Sequence, residues 1–221
     1  GPTLPEHRGA AEALAAIDNY RIDLPRRMRD AIDTVQALLP NNPVFKGHRA
    51  RLIGSARLSL EAAAQRARAL GIPAMILSDA IEGEAADIAR MHAAIAREIA
   101  LRDRPFRKPV LLLSGGETTV TLKGNGRGGR NTEFLLALAI ELDGMAGVYG
   151  FAADTDGIDG SESNAGAFVG PDTLVRLQKL GLQPRASLAN NDAFSAFDAL
   201  GELFSPGPTG TNVNDFRALL I

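Results

Sequence analysis

The sequence predicts an α/β fold: a layered sheet, mostly parallel or mixed, with helices on both faces and a short helical segment from another domain before it. From Arg49 onward, apolar segments of strand length alternate with segments whose apolar residues recur at the helical period, as is typical of α/β sheets. Apolar residues make up 45% of the 221 residues and charged residues 23%, so the chain can bury a substantial core.

Residues 1–48 have a different pattern. Apolar stripes predict two helices, at residues 9–19 and 25–39, and no strand accompanies them. Pro25 suits a first helical turn, and the Pro-Asn-Asn-Pro run after the second helix ends it. We therefore predict that residues 1–48 are the helical tail of a truncated amino-terminal domain or a linker, and that residues 49–221 form one α/β domain.

The elements of this α/β domain follow from periodicity, caps and breakers. Ser55 can cap the first long helix, and Gly71 can end it. Ser114–Glu117 is too short for a crossover helix, so it should join two neighbouring antiparallel strands and make the sheet mixed. In chain order we predict a strand at 51–53, a helix at 55–70, a strand at 73–78, a helix at 84–101, strands at 110–114 and 118–122, a helix at 131–142, a strand at 148–153, helices at 172–180 and 192–200, and a last short strand at 218–221.

Charge and composition exclude several kinds of partner and chemistry. The 24 basic and 26 acidic residues give a net charge of −2, which offers no bulk attraction to nucleic acid or an anionic membrane. The absence of cysteine excludes disulfides, thiolate catalysis and cysteine metal sites. No apolar run approaches the roughly 20 residues that span a bilayer, and the start lacks a secretion signal. We expect a cytoplasmic protein that binds neither nucleic acid nor membrane; a homo-oligomer is compatible with the sequence.

Polar residues follow four of the predicted strands at their carboxyl ends. They are Asp79, Ser114–Glu117, Gly124–Asn131 and Asp154. Open α/β sheets bind ligands at this edge. The agreement among four strands therefore predicts a small-molecule site there.

Four glycines within six residues precede the helix predicted at 131–142. Gly124, Gly126 and Gly129 satisfy the G-x-G-x-x-G dinucleotide fingerprint, and a ribose-binding acid could follow at the end of the next strand. The spacing also fits a P-loop, except that Arg-Asn replaces Lys-Ser/Thr. Both templates point backbone N–H groups and a helix start at an anion, and Arg130 adds a forked cation for phosphate or carboxylate. The structural alternative is a long glycine-rich turn.

Three carboxylates, those of Asp154, Asp156 and Asp159, lie within six residues. The segment fails as an EF-hand, because Asp159 replaces the required glycine and Ala165 the terminal glutamate. The functional interpretation is a Mg²⁺ ion held partly by one of these carboxylates and partly by substrate phosphates. The structural alternative is a turn in which the carboxylates accept hydrogen bonds from nearby backbone N–H groups.

Two further polar segments allow a functional or a structural interpretation. Asp79, Glu82 and Glu84 lie at a strand end and helix start, and helix capping explains the two glutamates better than it explains Asp79. Residues 208–215, Pro-Thr-Gly-Thr-Asn-Val-Asn-Asp, can bind a ligand or only form turns. The three histidines, including His92, lie outside these clusters, so we do not expect base catalysis by histidine.

Four motifs, taken together, carry a family resemblance. They are Ser-Gly-Gly-Glu-Thr-Thr-Val-Thr from Ser114, Gly-Asn-Gly-x-Gly-Gly-Arg-Asn from Gly124, Thr-Asp-Gly-Ile-Asp-Gly from Thr155 and Pro-Thr-Gly-Thr-Asn-Val-Asn-Asp from Pro208. In this order they resemble the glycerate 2-kinase family, whose members are also catalogued as hydroxypyruvate reductases. The resemblance covers roughly residues 49–221 and identifies this part as similar to the family's carboxy-terminal MOFRL domain.

The resemblance implies a two-domain enzyme that transfers the γ-phosphoryl group of ATP to the 2-hydroxyl of D-glycerate with Mg²⁺, in a cleft between the domains. Family members carry an amino-terminal domain with a catalytic lysine, which this chain lacks. Gly1-Pro2-Thr3 looks like a stretch near the end of that domain. The chain alone is therefore expected to be inactive, with the missing amino-terminal domain as its partner and glycerate as substrate.

On this basis Arg130 is the candidate catalytic residue, and Asp154, Asp156 and Asp159 are candidate metal ligands. The general base is not assigned by the spacing. Two alternatives stay open: an NAD(P)-dependent hydroxypyruvate reductase with NAD(P)H as cofactor, and a non-catalytic ligand-binding module. The candidate substrate- or nucleotide-binding residues are Asp79, Ser114, Gly115, Gly116, Glu117, Thr118, Gly124, Asn125, Gly126, Gly128, Gly129, Asn131, Glu133, Thr209, Thr211, Asn212 and Asn214.

Overall fold

The computed structural model describes residues 4–5, 7–35 and 38–221. The chain divides into two compact units, Gly1–Ile53 and Gly54–Ile221. This division falls a few residues after the predicted boundary between residues 48 and 49. The Gly1-Pro2-Thr3 motif and residues 36 and 37 of the second predicted helix lie outside the described residues.

The first unit is helical where it is described. Its elements are α1 (Ala10–Asn19), α2 (Arg26–Thr34) and a 3-10 turn at Pro43–Phe45. An ion pair of 2.6 Å between Arg29 and Asp18 joins the two helices. The second helix ends earlier than predicted because Val35 has an extended backbone, and the strand predicted at 51–53 does not form.

The second unit is built on a six-stranded mixed sheet. Its strands are β1 (Ala74–Glu84), β2 (Leu111–Thr119), β3 (Tyr149–Asp154), β4 (Gly166–Val169), β5 (Leu203–Phe204) and β6 (Asp215–Leu220). Their spatial order is β1-β2-β6-β3-β4-β5. Only the β1–β2 pair is parallel among the described strands, because β6 inserts antiparallel between β2 and β3, and β4 is antiparallel to both its neighbours. The mixed sheet is confirmed, but it is not mostly parallel, and β4 and β5 were not predicted.

The antiparallel hairpin predicted at Ser114–Glu117 is wrong. Strand β2 runs straight through this segment beside β1, which itself continues past Asp79 to Glu84 with two register shifts. The glycines allow the strands to approach closely: Gly116 has a φ of +127°, and a Cβ there would lie 2.2 Å from the carbonyl oxygen of Ile81. A pair of glycines between polar residues inside a strand therefore gives the same sequence pattern as a turn.

Helices cover both faces of the sheet, as predicted. They are α3 (Ala56–Ala69), α4 (Ala85–Arg102), α5 (Arg130–Leu142), α6 (Thr173–Lys179), α7 (Pro184–Ala189) and α8 (Ala193–Leu200). Helix α3 buries Leu60 against Leu113 on one face, whereas α4 and α5 pack over Leu112 on the other. Consecutive strand residues face opposite ways, so β2 serves two separate apolar cores. Within the described part of the chain, no helix is long and apolar enough to cross a membrane.

A buried histidine links α4 to the middle of the sheet. His92 Nε2 lies 2.9 Å from Ser114 Oγ, and its Nδ1 lies 2.8 Å from the carbonyl oxygen of Ile88. Because a carbonyl can only accept, we assign the proton to Nδ1, and the Ser114 hydroxyl donates to Nε2. Burial lowers the pKa of His92 to about 4; the bond to Ile88 opposes this effect, and the nearby Arg217 cation adds to it. His92 is therefore a neutral core residue at pH 7.

The close strand approach at Gly116 gives a stability prediction. Gly116→Ala should lower the free energy of unfolding by about 3 kcal/mol or more, because a Cβ would overlap the Ile81 backbone at a φ that L-residues avoid. Gly71→Ala is the matched control, since Gly71 has a φ of +82° but open space around it, and should cost only about 1 kcal/mol. Urea denaturation measures both, and equal losses would contradict the close-approach explanation.

The neutral state of His92 predicts a pH dependence. Between pH 8 and pH 5 the unfolded chain binds a proton at this histidine, near its ordinary pKa of 6.5, while the folded chain does not. The wild type should therefore lose roughly 2 kcal/mol of unfolding free energy over this range that His92→Gln does not lose. Denaturation at both pH values measures the difference.

His48→Gln provides the control for this experiment. His48 is exposed and lies in the first unit, so its replacement removes a histidine without changing the packing around His92. Parallel curves for the wild type and His92→Gln would contradict the neutral buried state of His92.

Candidate functional site

A cleft of about 820 Å³ lies at the carboxyl ends of β2 and β3 and at the start of α5. This is the edge at which the sequence predicted a site. Its lining residues are Glu117, Thr118, Thr119, Val120, Leu122, Gly126, Gly128, Gly129, Arg130, Glu133, Asp154, Asp156, Ile158, Gly160, Ser161, Asn191, Ala193 and Asn212.

Arg130, the first residue of α5, lies in this cleft with three carboxylates around its guanidinium group. Nε donates to Asp215 Oδ1 at 2.8 Å, Nη1 to Glu117 Oε1 at 3.0 Å and Nη2 to Asp154 Oδ2 at 2.5 Å. Burial lowers the pKa of Arg130, but the Asp215 and Asp154 carboxylates outweigh it and raise that pKa above the ordinary value. Arg130 is a permanent cation whose position is fixed on three sides.

The three carboxylates differ in their exposure to solvent. The side chains of Asp215 and Asp154 are 0% and 6% exposed, whereas that of Glu117 is 56% exposed. Burial raises the pKa of Asp154, although the Asp156 N–H and the Arg130 cation stabilise its charged form. An exposed ion pair is worth little, so the bond between Arg130 and Glu117 is the one that a ligand can replace most easily.

The glycine run before α5 packs against the Asn190–Asp192 turn. Asn191 Oδ1 accepts hydrogen bonds from the N–H groups of Lys123, at 2.7 Å, and Gly124, at 3.0 Å. A Cβ at Gly124 would lie 2.3 Å from Asn190, and one at Gly126 would lie 2.4 Å from Asp192. The run has so many glycines because two loops approach each other closely, and several of the N–H groups that the phosphate interpretation needs are already bonded.

The start of α5 is also occupied, by the carboxylate of Asp159. The N–H groups of Asn131 and Thr132 each donate to it at 2.9 Å, and the Thr132 hydroxyl donates at 2.8 Å. A Cβ at Gly129 would lie 2.4 Å from Asp159. The helix start binds an anion, as predicted from its polarity, but the anion is a side chain of the same protein.

The three candidate metal ligands, Asp154, Asp156 and Asp159, bind different groups of the protein, and their role in holding Mg²⁺ stays a prediction. Asp154 binds Arg130 and the Asp156 N–H, Asp156 accepts from the Ile158 N–H at 2.8 Å, and Asp159 faces α5. Across the described residues, no group of three or more His, Cys, Asp or Glu side chains could hold a metal ion. The three carboxylates do not meet at one point, because each accepts hydrogen bonds from different donors of the protein.

Several predicted binding residues lie in the structural framework rather than on the cleft. Ser114, Gly115 and Gly116 are buried inside β2, and Asp79 is exposed on β1 away from the cleft. Asn131 is buried and donates through Nδ2 to Asp159 and to Asp215, at 3.2 and 2.9 Å. Gly124, Asn125, Thr209, Thr211 and Asn214 do not line the cleft either.

The predicted polar loop at 208–215 contributes one residue to the cleft. Asn212 lines it and donates to Asp156 Oδ2 at 3.2 Å. The Thr209 hydroxyl instead donates to the Thr155 carbonyl oxygen at 2.5 Å, and the Asn214 carbonyl oxygen accepts from Thr155 Oγ1 at 2.8 Å. These bonds hold the loop against the segment that follows β3.

Glu133 and Asn191 form one wall of the cleft. Asn191 Nδ2 donates to Glu133 Oε2 at 2.9 Å, and burial raises the pKa of Glu133 despite this bond. Asn191 has a φ of +54°, an uncommon conformation for a residue other than glycine. The candidate site residues did not include Asn191, and Asp215 was named only as the last residue of the polar segment 208–215. The available signals were an Asn-Asn-Asp turn before a helix and an acid two residues before Arg217 in the last strand.

Comparisons with known proteins show which family the chain resembles. Residues 110–215 match the MOFRL family. A protein of Agrobacterium vitis named "Putative hydroxypyruvate reductase" is 45% identical over the whole of this chain and half of its own length. The chain is 31% identical to the glycerate kinase of Macaca fascicularis, of which it covers 67%.

A solved structure is similar over the whole chain. The crystal structure of glycerate kinase from Thermotoga maritima is 37% identical, with a TM-score of 0.88, and the match covers 100% of this chain and 52% of that one. The chain thus spans about half the length of the first relatives that it matches. The chain belongs to the glycerate kinase family and contains its MOFRL domain.

Proposed function

We propose that the protein is part of an ATP-dependent glycerate kinase that phosphorylates D-glycerate to 2-phosphoglycerate, and that this chain supplies one wall of the active-site cleft. The observation that carries the proposal is Arg130, held by three carboxylates in the cleft of a glycerate kinase family member. The relative from Thermotoga maritima, named "D-glycerate 2-kinase", supports the choice of substrate and of the hydroxyl that is phosphorylated.

Phosphoryl transfer depends mainly on positioning the reactants and neutralising the charge of the phosphoryl group. The planar guanidinium group of Arg130 can donate two hydrogen bonds to a phosphate or to the carboxylate of glycerate. When either anion binds, Nη1 of Arg130 exchanges the exposed Glu117 for the ligand, while Asp215 keeps its hold on Nε. The contribution of this chain to catalysis is thus one cation, Arg130, held in a fixed position.

The cleft residues fit a Mg²⁺ ion that arrives with nucleotide phosphates. Mg²⁺ is usually held by one or two carboxylates together with substrate phosphates, rather than by a cage made only of protein groups. Glu117 and Asp156 both line the cleft, and both are at least partly accessible to solvent. These two residues would hold the ion, which would neutralise phosphate charge when bound.

The reductase alternative has less support from the site. Its motif was the glycine run, but Asn191 and Asp192 accept hydrogen bonds from backbone N–H groups of that run, and Asp159 occupies the start of α5. The relatives named as reductases favour it by name only. A cytoplasmic location, a homo-oligomer and the partnership with an amino-terminal domain remain predictions.

Replacing Arg130 tests the proposed chemistry. In the longer protein that contains this chain, Arg130→Ala should lower kcat/KM at least about 100-fold, a loss of roughly 3 kcal/mol of transition-state stabilisation. A coupled assay of ATP-dependent 2-phosphoglycerate formation measures this. Unchanged activity would favour a non-catalytic binding module, and ATP-independent NADH oxidation would favour the reductase.

Arg127→Ala is the matched control for this experiment. Arg127 lies in the glycine run three residues before Arg130, but it is exposed, pairs with Glu162 at 2.6 Å and lies 4.3 Å from the centre of the Phe194 ring. Its replacement should leave kcat/KM within about threefold of the wild type, because Arg127 does not line the cleft.

The proposed division of the active site predicts that the 221-residue chain does not turn over glycerate by itself. The reason is that this chain contributes only part of the groups that position both substrates. The same coupled assay, run on the chain and on the longer protein at equal concentration, measures the difference. Comparable turnover by the chain would contradict the division.

A further inference from the structure

We propose that Asp215 is the residue that positions Arg130 for phosphoryl transfer, acting through a buried charge network that is neutral without any ligand. The catalytic part of this inference rests on the proposed function. Asp215 does not line the cleft, and the structure places it behind Arg130.

One oxygen of the Asp215 carboxylate contacts the start of α5. Asp215 Oδ1 accepts from Arg130 Nε at 2.8 Å and from Asn131 Nδ2 at 2.9 Å. A charge-assisted bond to Nε fixes the plane of a guanidinium group, because Nε is its attachment point to the side chain. The two terminal nitrogens of Arg130 are left facing Glu117 and Asp154 in the cleft.

The other carboxylate oxygen of Asp215 is also bonded, which prevents the side chain from rotating. Asp215 Oδ2 accepts from the Thr118 N–H and hydroxyl, both at 3.2 Å, and from Arg217 Nη2. Donors from β2, β6 and α5 thus converge on one carboxylate whose side chain is fully buried. Each carboxylate oxygen of Asp215 accepts hydrogen bonds from donors only. An asparagine at this position would therefore point its NH₂ group at other donors in either orientation.

The buried charges around Asp215 balance one another. Arg217 is 0% exposed, and its guanidinium lies 5.3 Å from the centre of the Phe134 ring. Its Nε and Nη1 have no hydrogen-bond partner among the described residues. The ion pair with Asp215 is therefore needed to compensate for burying this charge. Two buried acids, Asp215 and Asp154, therefore balance the two cations Arg130 and Arg217. Glu117 lies outside this neutral set, as the exposed partner that a ligand can replace.

The positioning role is tested first in the chain alone, without an activity measurement. In the ¹⁵N-arginine-labelled chain, the Arg130 Nε–Hε resonance, assigned by its disappearance in Arg130→Lys, should exchange slowly with water. Asp215→Asn should accelerate that exchange about 10- to 100-fold, the range expected for losing a hydrogen bond to a charged group. An unchanged exchange rate would overturn the proposal.

The second test is kinetic and uses the longer protein. Asp215→Asn leaves Arg217 buried without its carboxylate, so the double variant Asp215→Asn/Arg217→Met, which also removes that cation, protects the experiment against a failure to fold. Both variants should show kcat lowered roughly 10- to 100-fold, as is typical when a supporting group behind a reacting one is lost, while KM changes less. A wild-type kcat in the folded double variant would overturn the proposal.

Leu60→Ala is the control for lost stability. Leu60 belongs to α3 on the opposite face of the sheet and takes part in none of the network's hydrogen bonds. This variant therefore destabilises the fold without removing a member of the network, and its folded fraction should keep the wild-type kcat. An equal fall in kcat for Leu60→Ala would overturn the positioning role. If the wild-type longer protein does not phosphorylate glycerate, the proposed function fails, and the exchange measurement still decides whether Asp215 positions Arg130.

Discussion

Two buried carboxylates hold the start of helix α5, and the arrangement of the whole cleft depends on them. Asp159 binds the N–H groups of the first turn, and Asp215 binds the side chains of Arg130 and Asn131. One carboxylate comes from the segment after β3 and the other from β6, so the helix is fixed against two neighbouring strands at once. The positive end of the helix dipole makes both contacts favourable. Without them, neither the direction of the helix nor the position of its arginine would be defined.

The sequence predicted those elements whose signal is local. Helices α4 and α5 and strand β3 lie within one or two residues of their predicted bounds, because a continuous apolar stripe or run specifies each of them. The pairing of β2 could not be predicted in the same way. Its glycines are needed by the backbone of β1, a neighbour in space, and no short window of sequence distinguishes that requirement from a turn.

The candidate site shows the same division between local and distant information. Glu117, Arg130 and Asp154 come together because the carboxyl ends of β2 and β3 meet at one edge of the sheet, which the order of elements already indicates. Whether a polar residue faces a ligand or an N–H group of the protein depends on contacts made far away in the chain. Asp159 was a candidate metal ligand in the sequence and Asn191 was not a candidate, yet only Asn191 lines the cleft.

The position of β6 has a consequence for synthesis of the protein. This strand lies in the middle of the sheet, although it is the last strand of the chain, and Thr118 bonds to Asp215 across 97 residues of sequence. During synthesis, β2 and β3 each have one unpaired edge until residues 215–220 leave the ribosome. Unpaired strand edges are surfaces through which chains aggregate. Because Asp215 lies on this strand, one of the three carboxylates around Arg130 reaches it only after the strand has paired.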